Sequence, residues 1–248
     1  MSSLPQRPAI FRLLRRIALF LHLAGGFAVV LLWFPLIGRQ HREKLKACWS
    51  RRLLSIIGLR LEMKGEIAPG ALIVSNHVSW IDIFAISAVR PAAFVAKSEI
   101  AGWPLVGLLC RKTDAIFIER GSHRHAQHVA HDMASRLTAG KSVAFFPEGT
   151  TTEGDRLLPF HAALFQPAIA AGVAVQPVLI RYRDGHGQPT TAPAYAGDTS
   201  FGQCLAATLA EEGLVAELTC LAPIPSAGTE RRVLAGRCAK AIGDALAG

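Results

Sequence analysis

The hydrophobic and polar positions beyond residue 58 alternate between two patterns. Short apolar runs, each ended by polar or turn residues, occur at residues 59–63, 71–75, 92–96, 115–118, 143–146, 173–180 and 216–221. Stretches with helical spacing occur at residues 81–89, 104–110, 123–139, 162–171 and 231–246. Strands that alternate with helices indicate an α/β fold. We therefore expect an α/β domain over residues 58–248, with a central, largely parallel or mixed sheet flanked by helices.

The first 57 residues follow a different pattern, because they contain one long apolar run. Ile17–Ile37 has no charged residue, and as a single helix it would be about 31 Å long, the thickness of a bilayer core. Basic residues flank it on both sides, so charge does not fix an orientation, and both a full span and a helix that dips into one leaflet stay open. A cleaved signal peptide is the alternative, but the run is too long and no clear cleavage site follows.

The next segment, 40–57, is predicted to be an amphipathic helix. Its apolar positions recur at helical spacing, at Leu45, Trp49, Leu53 and Ile56. Such a helix suits a membrane surface, with its apolar face inward and its cations on anionic head groups. The alternative is an ordinary surface helix that packs on the core. Because the segment directly follows an apolar run, we favour the first interpretation and assign 1–57 to membrane-anchoring helices.

Composition indicates which partners the chain prefers. Its hydrophobic content of 51% suggests membrane contact, and its net charge of +9 favours anionic partners such as lipid head groups, phosphorylated substrates or nucleic acid. The apolar N-terminal segment and the lack of a nucleic-acid-binding motif argue against nucleic acid. The five cysteines show no CxxC spacing, which indicates reduced thiols rather than a disulfide framework or a zinc site.

The first candidate for chemistry lies where the run 71–75 gives way to a helical pattern. His77 and Asp82 stand there, and a His can take a proton from a hydroxyl while a buried Asp holds its tautomer. Residues five apart in one helix point about 140° away from each other, so the two meet only if His77 lies on the turn and Asp82 inside the following helix. The alternative is a capping box, with Ser79 as N-cap and Asp82 reaching back to its amide. This segment alone leaves both interpretations open.

Two cations also follow predicted strands, where ligands usually bind in α/β sheets. Arg120 follows the run 115–118 and can place two parallel hydrogen bonds on a phosphate. Lys97 follows the run 92–96 and is a second candidate. Single basic residues at strand ends are common, so the alternative for each is a solvated charge.

A third polar cluster, with the sequence PEGTT, follows the run 143–146. Pro147 and Gly149 predict a tight turn that exposes backbone amides, and Thr150 and Thr151 add donors. Glu148 would lie at the mouth of the sheet. Three polar clusters that each follow a predicted strand indicate a common site.

Four histidines mark the predicted helix 123–139, at positions 123, 125, 128 and 131. Metal binding there is conceivable. An apolar stripe explains the helix without a metal, and it consists of Ala126, Val129, Met133 and Leu137. We therefore interpret the histidines as a solvated polar face and expect no metal.

Four blocks of the chain match a known family in order and rough spacing. They are Asn76-His77-x4-Asp82, Ile116-Phe117-Ile118-x-Arg120, Phe146-Pro147-Glu148-Gly149-Thr150 and Val175-Gln176-Pro177-Val178. In these blocks the chain resembles the glycerolipid acyltransferases, and in particular the 1-acyl-glycerol-3-phosphate acyltransferases, over residues 59–180. The resemblance implies a glycerolipid acyltransferase-like fold and a membrane-bound enzyme of phospholipid biosynthesis.

The resemblance also implies a mechanism and a set of residues. His77 would act as general base on the acceptor hydroxyl, and Asp82 would orient it. The hydroxyl of 1-acyl-glycerol-3-phosphate would attack the thioester of acyl-CoA or acyl carrier protein and give phosphatidate, with no acyl-enzyme, cofactor or metal. The resemblance assigns Arg120, Glu148 and Gly149 to the phosphorylated acceptor, and we add Asn76, Lys97 and Thr150 as candidate substrate-binding residues. Since like charges repel, we expect Glu148 to orient Arg120 or a glycerol hydroxyl rather than to contact phosphate.

The chain departs from the family pattern after the third block. His161 replaces the usual Lys, and Ala163 stands where Gly is expected. The departure leaves open another acceptor, such as a lyso-ornithine lipid. The partners expected are the lysolipid, the acyl donor and membrane lipids, at the inner membrane with the catalytic domain on the cytoplasmic side.

Overall fold

The computed structural model of the chain describes residues 9–119 and 123–248. Its strands are β1 (Arg60–Lys64), β2 (Leu72–Ser75), β3 (Ala93–Lys97), β4 (Ile116–Ile118), β5 (Val143–Phe145), β6 (Val175–Arg183) and β7 (Val215–Cys220). Its helices are α1 (Ala9–Ala28), α2 (Arg39–Ile57), α3 (Asp82–Val89), α4 (Val106–Lys112), α5 (His123–Thr138), α6 (Gln166–Ala171), α7 (Phe201–Ala210) and α8 (Arg231–Ala247). Each predicted strand is present, with its ends shifted by at most a few residues.

The sheet is mixed but mostly parallel, in the order β1-β7-β6-β2-β5-β3-β4. Strands β6, β2, β5, β3 and β4 all run in one direction, and the only antiparallel pair among the described residues is β6–β7. The carboxyl ends of five neighbouring strands therefore meet at one edge, called the carboxyl edge below. The predicted fold class is confirmed, and the three polar clusters follow β2, β3–β4 and β5 at this edge.

Helices cover both faces of the sheet, and each face has its own apolar core. On one face α2 and α3 bury Leu53, Ile57, Ile81 and Ile86 against strand residues such as Ile73. On the other, helices α5, α6 and α8 pack on the alternate residues of the strands, including Leu72 and Val74 of β2. The stripe predicted on α5 is buried at Val129, Met133 and Leu137.

One helix does not follow from the hydrophobic pattern. Residues 184–202 are predicted to be a surface loop, but α7 begins at Phe201, and Ser200 and Gln203 form its capping box. The loop before it also contains buried residues, Pro193 and Ala194. The segment is thus packed on the domain rather than solvated throughout.

The N-terminal apolar run forms one continuous helical rod of irregular geometry. Helix α1 passes into a π-helical turn (Val29–Trp33) and a 3-10 turn (Phe34–Leu36). The helix loosens there because Pro35 donates no backbone hydrogen bond. Residues 13–36 are long and apolar enough to cross a membrane: 18 consecutive residues within them have a mean hydropathy of 2.3, and only 22% of those residues are buried.

Helix α2 packs on the domain, which corrects the interpretation that its apolar face lies on a membrane. Leu53 is almost fully buried, and Trp49 and Ile56 pack against the same core. Polar contacts reinforce the packing, since Lys46 Nζ donates to the carbonyls of Ala92 and Thr113 at 3.1 and 3.0 Å. Helix α3 presents an apolar surface to α2 from within the protein, so the alternative of a core-facing helix holds. Most of the exposed apolar surface of the N-terminal segment belongs to α1 and to the turns that follow it.

Candidate active site

The site begins at the carboxyl end of β2, where Asn76 joins two strands. Its side-chain amide donates to the carbonyl of Ile180 on β6 at 2.9 Å and accepts from the Ile180 amide at 2.8 Å. Asn76 is fully buried. Both polar atoms of the side chain therefore contact backbone, and Asn76 fixes the position of the turn that follows.

His77 lies on this turn and Asp82 is the first residue of α3, as their spacing requires. His77 Nδ1 is 2.8 Å from Asp82 Oδ2. The same oxygen accepts the amides of Val78 and Ser79 at 2.8 and 2.9 Å. Asp82 is fully buried, and the His77 side chain is 19% exposed. The carboxylate thus holds the imidazole and also makes the predicted bond to the Ser79 amide, but Ser79 is not the N-cap, because α3 begins after Ile81 without a side-chain cap.

The other oxygen of Asp82 has a partner that the sequence reasoning missed. Tyr182 Oη donates to Asp82 Oδ1 at 2.6 Å, and Tyr182 is buried. Burial and the neighbouring Asp82 charge raise the pKa of Tyr182 well above its ordinary value, so the phenol stays protonated and donates at physiological pH. Strand pairing brings Tyr182 to the site, since β6 lies beside β2.

Glu148 contacts the backbone of His77. Its Oε1 accepts the amide of His77 and its Oε2 accepts the amide of Leu158, both at 2.9 Å. Burial raises the pKa of Glu148, and the two amide bonds oppose that shift. Both oxygens of this carboxylate thus accept backbone amides; Arg120, which Glu148 was expected to orient, lies outside the described residues. Glu148 joins the turn at His77 to the segment that follows the PEGTT turn.

Phe146 fixes the plane of the imidazole. The two rings are stacked with centroids 3.8 Å apart and planes 6° apart. Because Nδ1 faces Asp82, the second ring nitrogen, Nε2, points away from the carboxylate. A neutral imidazole that donates from Nδ1 carries its lone pair on Nε2. The arrangement therefore presents one basic nitrogen at the carboxyl edge.

The remaining predicted residues lie at the surface of the same edge. Gly149 has a positive φ of 68° in the turn after β5, a conformation that favours glycine. Thr150 is exposed beside it, and Lys97 is exposed at the end of β3, two strands away from β2. The structure brings Asn76, His77, Asp82 and Glu148 into one connected network and places these three around its rim.

Two further segments close around the site. The amide of Tyr195, in the loop before α7, donates to the carbonyl of Val78 at 2.9 Å, and Thr151 Oγ1 donates to the carbonyl of Tyr195. The amide of His161 donates to the carbonyl of Pro147 at 2.9 Å, and the His161 side chain is exposed. The position that departs from the family pattern therefore adjoins the turn that holds Glu148.

Comparisons with known proteins agree with this geometry. The family model described as Acyltransferase matches residues 58–181. The chain is 38% identical to the lyso-ornithine lipid O-acyltransferase of Pseudomonas aeruginosa, over 84% of this chain and 80% of that protein. It is 44% identical to the 1-acyl-sn-glycerol-3-phosphate acyltransferase of Neisseria meningitidis, over 63% of this chain and 62% of that protein.

A solved structure supports the fold. The chain superposes on the crystal structure of the 1-acyl-sn-glycerophosphate (LPA) acyltransferase PlsC from Thermotoga maritima with a TM-score of 0.66 and 20% identity, and the match covers 96% of this chain and 98% of that chain. The family model and the relatives identify the family, and the solved structure agrees with the fold. The chain belongs to the acyltransferase family.

Proposed function

We propose that the protein is a membrane-bound O-acyltransferase that moves an acyl chain from acyl-CoA or acyl carrier protein to the free hydroxyl of 1-acyl-glycerol-3-phosphate, which gives phosphatidate. One observation carries the proposal: His77 is held by a buried Asp82 at 2.8 Å, which leaves Nε2 as the basic nitrogen. The resemblance of the chain to lysolipid acyltransferases supplies the class of substrate.

The reaction needs one base and no covalent intermediate. Nε2 of His77 takes the proton of the acceptor hydroxyl as its oxygen attacks the carbonyl carbon of the thioester. The tetrahedral intermediate collapses when the C–S bond breaks. The leaving sulfur takes the proton from Nε2, so the products are an ester and a free thiol. Asp82 stabilises the imidazolium that forms in between, because its carboxylate already contacts Nδ1.

The buried polar residues around His77 hold it in place. Asn76 fixes the start of the turn, Glu148 bonds the amide of His77, and Tyr182 bonds the free oxygen of Asp82. We therefore assign Asn76 and Glu148 to positioning rather than to direct contact with substrate. Contact with the acceptor head group is proposed for the rim, at Lys97, Gly149 and Thr150, together with Arg120.

A lyso-ornithine lipid is the second candidate acceptor, and two observations favour it. The relative from Brucella abortus, a lyso-ornithine lipid O-acyltransferase, is 36% identical over 84% of this chain and 87% of its own length. His161 and Ala163, which depart from the family pattern, adjoin the turn that holds Glu148. The donor and mechanism would be the same, and only the head group would change.

The apolar surface of α1 and the lipid acceptors support a location at the inner membrane, with the catalytic domain on the cytoplasmic side where the acyl donors are made. The decisive experiment measures thiol release from acyl-CoA by the purified protein in mixed micelles. Lysophosphatidate and lyso-ornithine lipid are offered in parallel to wild type and to His77→Ala.

Thiol release that requires both lysophosphatidate and His77 is the expected result. Release with lyso-ornithine lipid alone would keep the mechanism and replace the acceptor. Undiminished release by His77→Ala would overturn the role of the base. If neither acceptor supports release, acyl carrier protein replaces CoA as the donor, and silence with both donors rejects the function.

A further inference from the structure

Four consecutive residues with exposed side chains stand out on the surface near the site. Trp103 is 56% exposed, Leu105 is 62% exposed and Val106 is 42% exposed, and Pro104 between them is exposed as well. These residues form the 103–106 patch. It follows β3 at the carboxyl edge, after a 3-10 turn at Ser98–Gly102, and it leads into α4. No part of the proposed chemistry uses it.

The backbone holds the patch in a fixed and costly conformation. Leu105 has a φ of 63° and a ψ of −55°, and the amide of Val106 donates to the carbonyl of Pro104 at 2.7 Å, which is a γ-turn. A positive φ is strained for a leucine and persists only where the surroundings impose it. The strain is maintained at a residue whose side chain points outward rather than into the core.

Contacts on both sides of the γ-turn impose this shape. The amide of Gly107 donates to the carbonyl of Trp103 at 2.9 Å, and Arg111 donates to the carbonyl of Ala101 at 2.7 Å. Gly107 lets α4 approach the preceding turn, since a Cβ there would lie 2.3 Å from the carbonyl oxygen of Ala101. The exposed apolar side chains are therefore displayed by an ordered segment.

The surroundings of the patch match a lipid bilayer. Helix α4, which begins in the patch, contacts the π-helical turn Val29–Trp33 of the N-terminal rod, where Leu32 and Trp33 are exposed as well. Three exposed cations, Lys97, Arg111 and Lys112, lie near the patch in the fold, together with two exposed acids, Glu99 and Glu119. An apolar tip with Trp and a cationic border is typical of segments that enter the interface of anionic membranes.

We propose that the 103–106 patch inserts into the bilayer as a second membrane contact, separate from the N-terminal rod. Two contacts fix the tilt of the domain where one rod would leave it free to rotate. Since the patch follows β3, it turns the carboxyl edge, with His77, toward the lipid surface. The acceptor then reaches the base without leaving the membrane. Only this last step rests on the proposed acyl transfer; the insertion itself does not.

The test measures lipid contact directly and uses the full chain. Wild type and Trp103→Phe are added to vesicles of phosphatidylcholine and phosphatidylglycerol in which the phosphatidylcholine chains are brominated, and tryptophan quenching is recorded. Trp103 is expected to supply a distinct part of the quenched signal, which Trp103→Phe removes. If the two proteins lose the same absolute amount of fluorescence to the bromines, Trp103 does not contact lipid and the proposal fails.

Partition between vesicles and buffer gives the second readout. The double variant Trp103→Ser/Leu105→Ser is expected to bind about tenfold less tightly, because two apolar side chains no longer leave water. The matched control is Val233→Ser, which changes a 46% exposed apolar residue on α8, against the other face of the sheet. Trp103→Leu should restore most of the binding, since it keeps the apolar surface.

Each other outcome has a definite meaning. Equal partition of the double variant and the control would overturn the proposal. A concentration-dependent dimer of the wild type that the double variant loses, with no lipid quenching at Trp103, would assign the patch to a second copy of the chain instead. Because both readouts are recorded without substrate, they stand or fall independently of the acyltransferase activity.

Discussion

The polar side chains that contact His77 from inside the protein, its inner side, are buried and hydrogen-bonded to the chain itself. The polar side chains on the solvent side of His77, at the rim, are exposed. Asp82 and Glu148 between them accept four backbone amides besides the imidazole. In contrast, Lys97, Thr150 and His161 are exposed at the rim. The imidazole is thus oriented by the protein itself, whereas the side chains that we propose for the head group can be exchanged at little cost in stability.

The largest effect is expected on the inner side, from Asp82→Asn. The variant cannot accept three donors on one oxygen and a phenol on the other, so the imidazole loses its orientation and the partner of its positive charge. We expect kcat to fall about 10³-fold, within the range that a positioned general base contributes. Asp155→Asn, which alters an exposed carboxylate after the PEGTT turn, is the control. A rate for Asp82→Asn close to that of Asp155→Asn would show that the carboxylate is dispensable.

Glu148→Gln is expected to have the next largest effect. An amide has one acceptor oxygen, so its NH2 group would face a backbone N–H of either His77 or Leu158. Leaving one buried donor without an acceptor should cost about 1–3 kcal/mol of unfolding free energy and displace the base. Thermal or urea unfolding and kcat check both effects. The exposed Glu153→Gln should change neither, and a stable Glu148→Gln with raised acceptor KM alone would return Glu148 to the substrate-binding residues.

Tyr182→Phe sharpens the comparison because it removes one oxygen from the inner network. Without the phenol, the Asp82 carboxylate is held less firmly, and so is the imidazole that it contacts. We expect kcat to fall about tenfold, the effect of roughly one lost hydrogen bond to a charged group, and both KM values to stay unchanged. Tyr195→Phe is the control, since its side chain is 38% exposed. An effect of Tyr182→Phe on KM for the acceptor, with kcat preserved, would contradict a positioning role.

The smallest effect is expected at the rim, from His161→Lys. The substitution restores the cation usual in the family beside the turn that holds Glu148, so it should lower the KM for lysophosphatidate a few-fold relative to lyso-ornithine lipid. Coulomb attraction at an exposed site supports no more than that. The unfolding free energy should stay at the wild-type value. An unchanged ratio of the two KM values would remove position 161 from head-group selection.

Local interactions explain which parts were predictable. The apolar runs that became β2 and β5, and the turn between β2 and α3, are specified within a few neighbouring residues. The contact between His77 and Asp82 spans five positions, so spacing and helix geometry allowed it, and the motif resemblance favoured it over a simple capping box. Helix α7 was missed although its capping box is local, because a segment rich in Gly, Pro and Thr precedes it.

Long-range pairing decided the rest. Tyr182 is 100 positions from Asp82, and Glu148 is 71 positions from the amide it accepts. The amphipathic pattern of α2 predicts that one face is buried, but it does not distinguish burial in a bilayer from burial against α3. The sequence by itself determined most of the elements, the family and the dyad, since these follow from local periodicity and motif spacing. The tertiary structure alone decided the bond of Asp82 to Tyr182 and of Glu148 to the His77 amide, because only the order of strands in the sheet brings those residues together.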